Sequence, residues 1–90
     1  MELTQEQTKE LFEKLKETLK LYDIKDVEIK NNYTNFSYYQ MKILHGAKTY
    51  FVNRVYIKGF SLVFEMFDFN ADNTALYGAE YLIKQILNIL

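Results

Sequence analysis

The chain has 90 residues, 49% of them hydrophobic and 17% aromatic, no cysteine, and eleven basic against twelve acidic side chains for a formal net charge of -1. That describes one small domain spanning residues 1–90 with enough apolar volume for a core, and it excludes disorder, a disulfide framework, a thiolate metal site and a cysteine nucleophile. Near-neutrality removes any global attraction to nucleic acid or anionic lipid, so binding of that kind needs a local patch.

Met1 to Glu10 is polar and acidic, with neither a basic stretch nor an apolar stretch of a leader, and no apolar run approaches the roughly 20 residues of a membrane span. The expected location is the cytoplasm, without a membrane partner. Thr4 and Gln7 have capping-box spacing, and Leu11, Leu15 and Leu19 then recur every four residues, which predicts an amphipathic helix from about Gln5 to Leu21. On its outer side Glu10 and Lys14 stand at helical spacing, the mark of a solvated face.

Val27 and Ile29 alternate with Glu28 and Lys30, the period of a short half-buried strand ended by Asn31 and Asn32. Three further strands are predicted. A three-residue loop His45-Gly46-Ala47 sets Met41 against Phe51 and Tyr39 against Asn53, and a two-residue turn Lys58-Gly59 sets Val55 against Leu62 and Phe51 against Met66. These registers give one apolar face built on Met41, Phe51, Val55, Leu62 and Phe64. They give a second, aromatic and basic face: Phe36, Tyr38 and Lys42 on one strand, Tyr50, Arg54 and Tyr56 on the next, and Phe67 on the last. Asn70 to Thr74 reads as a polar break before a second helix whose seam is Leu76, Ala79, Ile83, Ile86 and Leu90. The predicted fold is α+β: helix, four-stranded antiparallel sheet, helix, with both helices on one face of the sheet.

The residues that carry chemistry elsewhere are poorly placed for it here. His45, the only histidine, falls in a hairpin loop with no serine, cysteine or second histidine nearby in sequence, so general acid or base work lacks a partner. Arg54 and Glu65 read as a cross-strand ion pair. Asp68-Phe69-Asn70-Ala71-Asp72-Asn73 resembles the opening of an EF-hand calcium loop, but Ala79 stands where such a loop needs its bidentate glutamate. The helix, strands, helix order is similar to that of double-stranded RNA-binding domains, whose last helix opens on phosphate-gripping lysines. Asp72 to Tyr77 has no basic residue, and that function is not carried over. No metal, cofactor or enzymatic activity is expected.

An aromatic sheet face left uncovered by helices is expected to bind a partner, because soluble monomers seldom expose so wide an apolar surface. The expected interface is Phe36, Tyr38, Lys42, Tyr50, Arg54, Tyr56 and Phe67. The expected function is non-catalytic protein binding, with a homodimer as the first candidate and a single-stranded nucleic acid stacked on the rings as the alternative. By analogy, small domains of this build serve phages and other mobile elements as inhibitors of host defence proteins, acting by occlusion of a surface. The excess of lysine, asparagine, isoleucine, tyrosine and phenylalanine, all AT-rich in codon, fits such an origin.

Overall fold

A computed structural model describes residues 3–32, 38–68 and 73–88. The elements are α1 (Gln5–Lys20), β1 (Asp26–Asn32), β2 (Tyr38–His45), β3 (Lys48–Lys58), β4 (Ser61–Asp68), β5 (Asn73–Tyr77) and α2 (Ala79–Leu87). The strands form one antiparallel sheet in the order β1-β2-β3-β4-β5. The fold is α+β as expected, with five strands instead of four. Among the described residues, no helix is long and apolar enough to cross a membrane.

The capping box forms as the spacing predicts. Thr4 Oγ1 accepts from the Gln7 backbone N–H at 3.1 Å, and Gln7 Oε1 accepts from the Thr4 N–H at 3.0 Å, so two of the orphan donors at the helix start are satisfied. Of the four-residue stripe, Leu15 and Leu19 are buried and Leu11 is partly buried, while Phe12 beside it is fully buried. At the other end Asp23 turns left-handed at φ 66, which lets the Ile24 N–H reach the Leu19 carbonyl at 3.0 Å and the Asp23 N–H the Lys20 carbonyl at 3.1 Å. These are Schellman-type bonds, with apolar Ile24 folded back beside Leu19. Ile24 is thereby buried in the core, a position without a periodic signal in the sequence.

Both hairpin turns are shifted from the predicted ones, and for one reason. Gly46-Ala47 and Gly59-Phe60 are the turn residues, with Gly46 at φ 62 and Gly59 at φ 63. A two-residue hairpin of the Gly-X kind places glycine first, because only the first central residue needs positive φ. His45 therefore pairs with Lys48, and Met41 with Val52 where Phe51 was expected. Lys58 pairs with Ser61 and Val55 with Phe64 where Leu62 was expected.

These two turns make incompatible demands on β3. Pairing with β2 sends Tyr50 and Val52 to the same face as Met41 and Ile43, whereas pairing with β4 sends Val55 to the face of Phe64. A strand of strict period two cannot satisfy both, since Val52 and Val55 are an odd number of residues apart. A β-bulge reconciles them: Val52 pairs with Met66 and Arg54 with the adjacent Glu65, leaving Asn53 as the extra residue. Phe51, expected in the core, is turned to the opposite face. Tyr50, expected on that opposite face, is 4% exposed and belongs to the core.

The core is one cluster in which Phe12, Leu15 and Leu19 of α1 and Leu82, Ile83 and Ile86 of α2 meet Met41, Ile43, Tyr50, Val52, Val55, Phe64 and Met66 of the sheet. Residues 73–77, expected partly as a break and partly as the start of the second helix, form β5. Leu76 still reaches the cluster, but from a strand paired with Phe64. The Gly78 N–H donates to the Leu62 carbonyl at 2.8 Å, and Gly78, at φ 87, then redirects the chain into α2.

Candidate protein-binding face

The register builds the face opposite the core in cross-strand rows. Glu28, Lys42, Phe51, Phe67 and Asn73 are successive partners across all five strands. Arg54, Glu65 and Ala75 form a second row, and Tyr56, Val63 and Tyr77 a third. In the first row the Phe51 and Phe67 rings stack with centroids 5.2 Å apart and planes 25° from parallel, an offset arrangement that aromatic quadrupoles favour. Both rings remain half-buried and stand outside the core cluster.

The Arg54 guanidinium lies 4.5 Å from the centroid of the Tyr56 ring, two residues along the same strand, and its Nη1 is 3.8 Å from Glu65 Oε1. The side chains of Arg54 and Glu65 are 49% and 37% exposed, so water screens the pair and its contribution is small. Its use is geometric: a flat cation held over a ring by both attractions at once. Val63, between Tyr56 and Tyr77, is fully buried although it stands outside the core cluster. Gln40 Nε2 donates to Asn53 Oδ1 at 2.6 Å, which fixes the bulged residue to β2.

Of the expected interface, Lys42, Arg54, Tyr56 and Phe67 share this face. Lys42 is opposite Phe51, where Tyr50 was expected, and Tyr50 leaves the set for the core. Tyr38 pairs through its backbone with Asn32 of β1, and Phe36 lies outside the described residues. Phe51, Asn53 and Tyr77 belong to the face and were missed; a glycine-first turn between β2 and β3 would have placed Phe51 opposite Lys42. His45 pairs with Lys48 at the base of its turn. The calcium-loop resemblance falls largely on residues 69–72, outside the described residues, and Asn73 opens a strand where a polar break was expected.

Large apolar side chains are also exposed away from this face. Phe60 at the β3–β4 turn is wholly solvent-exposed, and Leu21 and Tyr22 protrude after α1. Compared with known proteins, the chain matches no family model, no curated protein and no solved structure.

Proposed function

We propose that this chain is a non-catalytic protein-binding module whose interface is the sheet face of Lys42, Phe51, Arg54, Tyr56 and Phe67. The observation that carries the reading is the half-buried Phe51–Phe67 stack on a face outside the core cluster. In this reading both helices lie on the other face of the sheet, a placement supported by their shared cluster with Met41, Val52, Val55 and Phe64. The rings then await a partner that completes their desolvation, the setting in which aromatic and arginine side chains become binding hot spots. The mode of action is occlusion: a rigid sheet laid on a partner's surface blocks it without chemistry, as a mobile-element inhibitor of a host defence protein would. A cytoplasmic setting belongs to the same reading.

The test is capture on the immobilised protein, run beside an Arg54→Glu/Phe67→Ser variant of matched thermal stability. Partners held by the parent and lost by the variant support this face; equal retention moves the interface elsewhere. A second reading, single-stranded nucleic acid stacked on Phe51 and Tyr56, is favoured by the Lys42 and Arg54 cations beside those rings. Glu28 and Glu65 share the face and repel phosphate. Salt-sensitive oligonucleotide binding lost with Arg54→Ala would replace the protein-binding reading.

A further inference from the structure

The two edges of the sheet are β1 and β5, and among the described residues no strand pairs with the outer side of β1. An edge strand offers backbone groups to any strand that can approach it, and on β1 the Val27 N–H already donates to the Lys25 carbonyl at 3.0 Å, which leaves the middle of the strand at Ile29 as the place of contact. The sequence of β1, Asp26-Val27-Glu28-Ile29-Lys30-Asn31-Asn32, has Ile29 at its midpoint with opposite charges on either side. If two copies pair antiparallel about a two-fold axis at Ile29, Glu28 of each faces Lys30 of the other, and Ile29 faces Ile29. The pattern is complementary to itself, as an isologous interface requires.

A second feature lies beneath the same strand. Ile29 and Tyr39 pack only partly against the core and floor a groove whose wall on α1 is Lys9, Glu13, Lys16 and Glu17. α1 packs on both β1 and β2. With strands about 4.8 Å apart, a two-fold at the β1 edge therefore brings the two α1 helices to about 10 Å, the usual distance for packed helices, and closes the groove. Antiparallel α1 helices again set unlike charges together, Glu13 of one copy near Lys16 of the other.

We infer that the β1 edge is the site of self-association, joining two copies through antiparallel β1 strands into a sheet of ten strands, five from each copy. This placement is independent of the aromatic face and leaves that face open on both copies, side by side, for a different protein. Within one copy Lys30 Nζ already lies 3.2 Å from Glu28 Oε2. Dimerisation turns that exposed pair into a ring of four alternating charges.

Sedimentation at micromolar concentrations tests the proposal with Glu28→Lys, Lys30→Glu and the double exchange. The parent is expected to dimerise, each single reversal to weaken the dimer by about tenfold or more through two like-charge pairs, and the double exchange to restore it. Glu28→Lys also sets a lysine beside Lys42, but the double exchange carries the same neighbour, so recovery there reports pairing and not folding. Hydrogen exchange on the unaltered protein gives a second measurement: the Ile29 amide should gain protection as concentration rises. A parent that stays monomeric, or a dimer indifferent to both single reversals, overturns the proposal.

Discussion

Gln40 Nε2 donates a 2.6 Å hydrogen bond to Asn53 Oδ1, and this contact ties the one extra residue of β3 to the neighbouring strand. The bulge at Asn53 lets Met41 and Phe64, on the strands either side of β3, find apolar partners on the same face. Gln40→Ala should cost about 1 kcal/mol, the usual net value of such a bond. Deletion of Asn53 should cost several times more, because one hairpin must then turn its apolar set outward. Urea titration checks both; a deletion as mild as Gln40→Ala would mean the bulge is dispensable.

Substitutions along β3 and its neighbours report which face is core. Met41→Ala should lose about 2–5 kcal/mol and Phe64→Ala about 3–5 kcal/mol, since both side chains are buried and leave cavities. Phe51→Ala should lose only about 1 kcal/mol, the order of an aromatic pair. The reverse ranking in denaturant would exchange the two faces.

Tyr50 separates stability from binding. Its ring is buried, so Tyr50→Ala should destabilise by about 3 kcal/mol or more, while Tyr56→Ala, on the opposite face, should lower partner binding with a much smaller loss of stability. Thermal unfolding and binding measured on the same two variants decide it. A stable Tyr50→Ala protein that no longer binds its partner would return Tyr50 to the interface.

The glycine-first turns are strained for any L side chain although nothing lies within 4 Å of a Cβ built at either glycine. Gly46→Ala and Gly59→Ala should each cost about 1–2 kcal/mol through backbone conformation alone. A D-alanine at position 59, introduced by semisynthesis, should raise the melting temperature, because it accepts positive φ and restricts the unfolded chain. Equal effects of the two alanine enantiomers would contradict the turn geometry.

Phe60 has no packing to lose. Phe60→Ser should leave unfolding free energy within about 0.5 kcal/mol of the parent and reduce non-specific adhesion. A clear loss of stability would place the ring against the sheet.

The sequence by itself determined those elements whose cause is local. The Thr4–Gln7 box and the stripe of Leu15 and Leu19 specify α1 through bonds and spacings within a few residues, and strict alternation at Val27 and Ile29 specifies β1. Arg54, Tyr56 and Phe67 were legible as one face because alternation within each strand survives an error in turn position that is even; Lys42 was assigned to the same face because the bulge at Asn53 cancels the odd error at the β2–β3 turn. The turn between β3 and β4 was misplaced in that harmless way, whereas the turn between β2 and β3 was misplaced by a step that exchanges faces.

Only the tertiary structure decided the rest. Asn53 carries no mark of a bulge; it is the extra residue because two glycine turns, fixed independently, require opposite parity of the strand between them. Leu76 fits a helical seam as well as a strand, and pairing with Phe64 on β4 settles it as strand, since hydrogen bonds to an existing sheet outweigh a weak local preference. Ile24 is buried because the chain reverses after α1 and carries it back against Leu19. In each case the deciding partner is a hydrogen-bond ladder or a core contact made by another segment, and periodicity within a short window does not contain it.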